Sequence, residues 1–569
     1  MTTTPATRIV IVGGVAGGMS CAARARRMDE HAHIVVLEKG SHVSFANCGL
    51  PYYVGGEIED AASLLVQTPA SLRAALDLEI HVDSEVVGLD TDRRVVVART
   101  PEGLTEFGYD ALVLAPGAEA ARPPVPGLDS VRVATLRTVD DAVALRERVA
   151  SGARRAVILG GGFIGVEAAE ALAAQGLDVT VVELAPHVLP PVEPELAHLV
   201  TEELRRLGVA VRSGVAAARI ESLPDRDVVH LADGTALEAD LVLLSAGVRP
   251  DTGLFAAAGI ACDAGAIVVD EHGRTSAPGV WAVGDATAAT DAVTGTRRPV
   301  ALAGPANRAG RLVADAILRP ERARPLPTAL GTAIVRVGEQ TVALTGANRR
   351  SLDAAGIRYR TIHLHPNHHA GYFPGAAQVH LVIHMDERDG ALLGAQAVGS
   401  DGVDKRIDVL ATALRAAMTV PELMDLDLAY SPVYGQAKDP VNLAGMLGAN
   451  VLDGTLRLWY PEDLDAARER ALVLDVRTAA EYEHLHLPGV LHIPHTQLRE
   501  RLDEVRERAA GRPVRVLCQS GVRSAIAHRV LVQEGFDSAS LSGGMLTLQA
   551  ALGDRAGDVL AGSAVLTPA

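Results

Sequence analysis

Val157-Ile158-Leu159-Gly160-Gly161-Gly162-Phe163-Ile164-Gly165 is the stretch that decides the fold. A short apolar run meets glycines at G-x-G-x-x-G spacing, and an apolar helical pattern continues to Gln175. A second apolar run, Val179 to Val182, ends at Glu183. This spacing predicts strand, tight turn, helix, strand. In such a unit the glycines let a pyrophosphate approach the backbone, and the helix N-terminus favours its negative charge. The terminal carboxylate accepts from a ribose hydroxyl. Glu183 repels a 2′-phosphate and no Arg follows it closely, so NADH is expected, with NADPH second.

The same pattern occurs upstream in weaker form. Arg8 to Val12 leads into Gly13-Gly14-Val15-Ala16-Gly17-Gly18, then an Ala/Arg-rich helix through Arg27 and a strand from His33 to Leu37. Val15 stands at the third position of G-x-G-x-x-G. Glu38, with Lys39 beside it, falls about 20 residues on, where the motif places its acidic residue. Two further strands end in tight turns that complete this first nucleotide site: Tyr109 to Ala115-Pro116-Gly117, and Val280 to Gly284-Asp285. Taken alone, Asp285 is a strand-end turn residue.

Between the two fingerprints lies Ser44-Phe45-Ala46-Asn47-Cys48-Gly49-Leu50-Pro51-Tyr52-Tyr53. No second cysteine is near; the others are Cys21, Cys262 and Cys518. A free cysteine is ordinarily a small buried hydrophobe. Asn47, Gly49 and Pro51 instead make this a turn, which favours a redox role for Cys48. Cys21 and Cys262 sit in apolar helix and strand contexts and read as packing residues.

Composition bounds the rest. The 569 residues suit three or four domains, and a hydrophobic content of 48% supplies their cores. A net charge of -17 without a basic run excludes nucleic acid as an expected partner. Four cysteines make no disulfide framework, which fits a reducing cytoplasm. The start, MTTTPATRIVIVGG, has no leader pattern, and no apolar stretch reads as a membrane span. No metal site is expected.

With both fingerprints, Cys48 and Gly284-Asp285 in place, the chain resembles the flavoprotein family of pyridine nucleotide–disulfide oxidoreductases. The resemblance implies FAD in the first site, with Asp285 on its ribityl chain. One cysteine rather than two implies the single-cysteine branch: NADH oxidase, NADH peroxidase and coenzyme A-disulfide reductase. Oxidases and peroxidases of that branch usually carry a His in the first Gly loop, where this chain has Ala16. SFANCGLPYYVGG is closest to the coenzyme A-disulfide reductases. In those, two tyrosines of the partner subunit reach the active-site thiol. Tyr372, in His369-Ala370-Gly371-Tyr372-Phe373-Pro374, and Tyr430, in Tyr430-Ser431-Pro432, match them. The resemblance also nominates Ser20, Arg24, Arg27, Ser44, Asn47, Asn307 and Lys438 as coenzyme A contacts. A homodimer follows, with coenzyme A itself held as a mixed disulfide on Cys48.

A Gly/Leu-rich join, roughly 443–456, leads to a last unit. Strand Val473 to Val476, then Leu487-Pro488-Gly489, the loop Cys518-Gln519-Ser520-Gly521-Val522-Arg523 and Leu541-Ser542-Gly543-Gly544 resemble a rhodanese domain. A helix starting near Ser524 and Arg523 would both favour a thiolate or persulfide at Cys518. Gln519 departs from the Arg common there, which leaves the sulfur donor open.

The expected architecture is α/β: two Rossmann-like dinucleotide-binding domains, an α+β dimerisation domain and a parallel α/β rhodanese domain. The expected boundaries are 1–115 with 247–325 for FAD, 116–246 for NADH, 326–446 for dimerisation and 455–569 for rhodanese. The expected enzyme uses NADH to reduce coenzyme A disulfide, coenzyme A persulfide or polysulfide. Two alternatives stay open: an NADH oxidase or peroxidase with a sulfenic acid at Cys48, and a sulfur-trafficking protein with a regulatory reductase half.

Overall fold

The computed structural model describes residues 7–563. Residues 1–6, part of the start without a leader pattern, and residues 564–569 of the expected rhodanese segment lie outside the described residues. The chain forms two compact units, Met1–Pro186 with Leu204–Gly331, and His187–Glu203 with Thr332–Ala569.

The first unit is built on two parallel five-stranded sheets, as the two fingerprints predict. One runs Val280–Ala282, Ala111–Leu114, Arg8–Val12, His33–Leu37, Glu79–His81 in spatial order. The other runs Ala210–Ser213, Asp178–Glu183, Arg155–Leu159, Leu241–Leu244, Val133–Ala134. Their central strands are mostly continuous apolar runs because both faces are covered. Ile9, Ile11 and Val36 pack on one side with Met19 and Val313, while Val10, Val12 and Leu37 pack on the other with Phe255 and Ile260.

In the second unit an antiparallel sheet runs Ala333–Val337, Gln340–Gly346, Leu392–Gly399, Val379–Asp386, Tyr359–Leu364. The helices Val403–Arg415 and Pro440–Leu452 cover it. Here the structure corrects the expected join at 443–456: most of it is helix Pro440–Leu452, with Ala444 and Val451 in the core. Its glycines serve close packing. A Cβ at Gly445 would lie 2.3 Å from the Met424 amide nitrogen, and one at Gly448 would lie 2.4 Å from Val420.

The last sheet is parallel, in the order Leu458–Trp459, Ser538–Leu541, Val514–Leu517, Leu472–Asp475, Leu491–His492. It docks on the antiparallel sheet through polar contacts. His363 Nδ1 meets Ser542 Oγ at 2.7 Å, His365 Nε2 meets Thr547 Oγ1 at 2.8 Å, and Tyr460 donates to the Thr361 carbonyl at 2.9 Å. The segment 187–203, which spacing assigns to the NADH domain, packs with this second unit. Among the described residues no helix is long and apolar enough to cross a membrane.

Candidate functional site

The two Gly-rich turns are built alike. Gly13 has φ +99° and Gly160 φ +112°, and a Cβ on either would collide with the backbone of Ala115 or Ser245. Gly18 and Gly165 bring the following helix against the Gly13 and Gly160 carbonyls, where a Cβ would sit at 1.9 Å. Val15 departs from the pattern without cost to the fold. Its counterpart Gly162 has nothing within 4 Å of its Cβ position, so packing does not require glycine there.

The helices Ala16–Met28 and Phe163–Ala174 begin without a side-chain cap and without an acidic residue in the first turn. Their first amides therefore point to an outside acceptor. Glu38 accepts from the Gly14 amide at 2.6 Å and the Gly40 amide at 2.8 Å. Glu183 accepts from Gly161 at 2.6 Å and Ala185 at 2.7 Å. Lys39 pairs with Asp251 at 2.8 Å and Glu119 at 3.6 Å.

Asp285 follows Gly284, which has φ +76°, at the end of strand Val280–Ala282. Burial pushes its carboxyl up, with Arg137, 4.0 Å away, opposing. A half-buried carboxylate with one distant cation is a ready acceptor for ligand hydroxyls. Uncapped helix, acidic strand end and waiting acceptor together fit an FAD in the first site. Uncapped helix and Glu183 fit a nicotinamide dinucleotide in the second.

Cys48 lies in the turn Asn47–Gly49, just before helix Leu50–Val54. All four cysteines are free, and Cys48 is the exposed one; Cys21 and Cys518 are buried and Cys262 is intermediate. Burial of its sulfur, with Glu167 adding, pushes the Cys48 thiol up. Four residues earlier Ser44 has φ +50°, a left-handed conformation that costs a non-glycine residue about 1 kcal/mol. The Ser44 amide donates to the Gly14 carbonyl at 2.8 Å, so this strained turn ties the cysteine loop to the first Gly turn.

Of the other nominated contacts, Ser20 donates to Asn307 Oδ1 at 2.6 Å and Arg24 pairs with Asp315 at 2.7 Å, both across the helices Ala16–Met28 and Ala303–Leu318. Arg27, Asn47 and Lys438 are exposed. Arg26, between two nominated arginines, is structural: it is buried and donates to four carbonyls.

Cys48 belongs to the first unit, and Tyr372, Tyr430, Lys438 and Cys518 belong to the second. The two tyrosine hydroxyls meet at 3.3 Å on exposed rings. Sequence spacing does not reveal what holds them. Buried Arg406 donates to the His368 carbonyl at 2.6 Å and to Asp439 at 2.8 Å, bracing both tyrosine loops.

At Cys518 the sulfur accepts from the Gly521 amide at 3.2 Å and the Ser524 hydroxyl at 3.3 Å. The helix starts at Val522, two residues before the expected Ser524, so Arg523 lies in its first turn. Arg523 donates to both oxygens of Glu481, at 2.7 and 2.6 Å, and holds that carboxyl down at about 2. Sequence spacing does not pair Glu481 with Arg523, 42 residues away.

Elsewhere His198, Glu202 and Asp554 bring one ligand atom each within 4.8 Å of one another at an open surface. Glu202 and Asp554 also have protein partners.

Known proteins bear on this geometry. The family model for pyridine nucleotide-disulphide oxidoreductases matches residues 7–310, that for the dimerisation domain 332–439 and that for rhodanese-like domains 460–551. A coenzyme A disulfide reductase of Staphylococcus haemolyticus is 33% identical, covering 77% of this chain and 98% of that protein. An NADH oxidase of Methanocaldococcus jannaschii is 30% identical, covering 77% and 97%. The crystal structure of reduced Bacillus anthracis CoADR-RHD superposes with a TM-score of 0.94 at 38% identity, over 97% of this chain and 99% of that one. An NAD-dependent persulfide reductase from A. fulgidus gives 0.89 at 35%, over 95% and 99%. Family models cover the nucleotide, dimerisation and rhodanese segments alike, and this chain therefore belongs to the pyridine nucleotide-disulphide oxidoreductase family and carries a rhodanese-like domain.

Proposed function

We propose that the protein is an NADH-dependent flavoprotein that reduces coenzyme A disulfide, coenzyme A persulfide or polysulfide at Cys48, while Cys518 handles sulfane sulfur. The observation that carries this is the single exposed thiol, Cys48, on the loop tied to the first Gly turn. The coenzyme A disulfide reductase and persulfide reductase relatives support it.

Gly13, Gly14, Ala16 to Gly18, Glu38, Lys39, Ala115 to Gly117 and Asp285 would hold an FAD, which would supply two-electron transfer between NADH and sulfur. Gly160 to Gly165 and Glu183 hold the NADH. The Cys48 thiolate attacks the substrate disulfide: a bond forms from Cys48 to one coenzyme A sulfur, the substrate S–S bond breaks, and the other half leaves as a thiolate. Tyr372 and Tyr430 of the partner in a homodimer donate to the sulfur that leaves. A further electron pair would then break the Cys48–coenzyme A S–S bond, releasing the second coenzyme A as a thiolate and returning Cys48 as a thiolate. Because burial raises the Cys48 thiol, hydroxyl donors near the sulfur have a direct task in favouring its anion.

Exposed Arg27 and Lys438 meet the coenzyme A phosphates, with Ser20, Ser44, Asn47 and Asn307 as polar contacts. Arg24 takes part only by leaving Asp315. The domain division follows 1–115 with 247–325, 116–246, 326–446 and 455–569, and the compartment is the cytoplasm.

Mass spectrometry of the native protein, paired with steady-state NADH oxidation on separate acceptors, tests the proposal. A coenzyme A adduct on Cys48 and turnover with sulfur acceptors are expected. Turnover with dioxygen alone would overturn it in favour of an NADH oxidase.

A further inference from the structure

Cys518 is fully buried, and the groups that face its sulfur carry no charge: the Gly521 amide at 3.2 Å and the Ser524 hydroxyl at 3.3 Å. Buried Ser540 donates to the Ser524 oxygen at 2.8 Å and so orients that hydroxyl. Two guanidinium groups flank the loop, each paired with a carboxylate, although Arg523 still attracts the Cys518 thiolate. Arg523 is gripped by both oxygens of Glu481. Arg477, also buried, is gripped by both oxygens of Asp475, at 3.1 and 2.6 Å. Its remaining reach to the loop ends on the Gln519 carbonyl oxygen at 3.4 Å. The loop therefore offers dipoles to an anion, and its two cations arrive with their counter-charges.

An inorganic dianion such as thiosulfate needs cations to replace its hydration, and here it would also meet the Glu481 carboxylate. A persulfide brings one transferable sulfur and at most one diffuse charge, which an amide and a hydroxyl can satisfy. We propose that Cys518 draws its sulfane sulfur from alkyl persulfides in preference to thiosulfate, with Glu481 and Gln519 setting the preference. This rests on Cys518 being the sulfane-sulfur carrier. In the step, the Cys518 thiolate attacks the terminal sulfur of R–S–S–H. A Cys518–S bond forms, the S–S bond of the persulfide breaks, and R–S⁻ leaves. The proton stays on the transferred sulfur, and nothing is oxidised or reduced overall.

The test uses the full-length protein and measures thiocyanate formation from cyanide, with glutathione persulfide or thiosulfate as donor and Cys518→Ser as the blank. NADH oxidation with coenzyme A disulfide, followed in the same samples, reports on the reductase half. For the wild type, kcat/KM with the persulfide is expected to exceed that with thiosulfate by about a hundredfold. Glu481→Gln, which keeps an acceptor for the Thr478 cap but frees Arg523, and Gln519→Arg, which adds a cation, should each raise the thiosulfate-to-persulfide ratio by about tenfold. Equal use of both donors by the wild type, or an unchanged ratio in both variants, overturns the inference. Transfer from neither donor overturns it too; coenzyme A-disulfide reduction intact in that sample leaves Cys48 as proposed. Loss of that reduction with persulfide transfer intact would count against Cys48 alone.

Discussion

The hydroxyl of Tyr372 lies 3.3 Å from the hydroxyl of Tyr430, although 58 residues separate them. The rings stay 77% and 50% exposed, yet their loops are pinned from below. Ala370 donates to the Gly435 carbonyl at 2.9 Å, Gln436 to the Asn367 carbonyl at 2.8 Å, and Arg406 braces both. Exposed phenols on a buried frame present two donors to something beyond their own core. Tyr372→Phe and Tyr430→Phe should each lower coenzyme A-disulfide turnover by about 10- to 100-fold. The double variant should fall short of the product, because the hydroxyls touch. NADH oxidation by ferricyanide, which needs no thiol, serves as the control. Wild-type disulfide turnover in both single variants would remove the tyrosines from the chemistry.

In the proposed function, Glu183 sets the nucleotide preference. Its carboxylate is fixed by the Gly161 and Ala185 amides, so it cannot swing away from a 2′-phosphate. Glu183→Ala should raise the NADPH-to-NADH ratio of kcat/KM by about tenfold or more. Steady-state kinetics with both nucleotides checks this. A wild type that prefers NADPH, or a variant with an unchanged ratio, contradicts it.

Glu195 makes stability depend on pH. It stands in the first turn of helix Pro194–Arg206 and meets His363 at 2.8 Å and Arg349. Burial opposes its ionisation, but His363 and Arg349 outweigh that and hold the carboxyl at about 2, against 4.5 for a free one. A depressed carboxyl stabilises the fold above about 4.5, and the contribution fades as pH falls from there toward 2. Glu195→Gln should therefore lose stability on the order of 3 kcal/mol at pH 7, and much less at pH 3. Denaturant melts of both proteins at the two pH values measure the difference; an equal loss at both would refute the assignment.

Both Gly-rich strand-turn-helix-strand units were legible in the sequence because each is local: strand, turn, helix and terminal carboxylate lie within about 30 residues, and period and punctuation report them. The groups that brace the tyrosine loops and the Cys518 loop are not local. Glu481 reaches Arg523 across 42 residues, and Arg406 reaches Asp439 across 33. No spacing rule covers such pairs, since tertiary packing alone brings them together. The glycines of 443–456 misled for a related reason. Glycine marks both flexible joins and close helix contacts, and only the neighbouring Met424 and Val420 show which holds here.

Cys48 and Cys518 test the division of labour. Cys48 is exposed, in a turn tied to the first Gly turn, and its thiol is pushed up by burial and Glu167. Cys518 is buried in its own loop, where an amide and a hydroxyl already hold the sulfur. Cys518 has its partners in its own segment, and the proposed chemistry at Cys48 draws only on the partner's tyrosines, so neither thiol needs the other for its half-reaction. Cys48→Ser should abolish NADH oxidation with every sulfur acceptor, because no other exposed thiol can take the electron pair. Cys518→Ser should leave coenzyme A-disulfide reduction within about twofold of wild type, and should weaken sulfur transfer from polysulfide donors. Stopped-flow and steady-state assays on both variants distinguish two independent sites from a relay. If coenzyme A-disulfide turnover fell as far in Cys518→Ser as in Cys48→Ser, electrons or sulfur would have to pass through both thiols in every cycle. Cys48 could then not be a self-sufficient reductase centre.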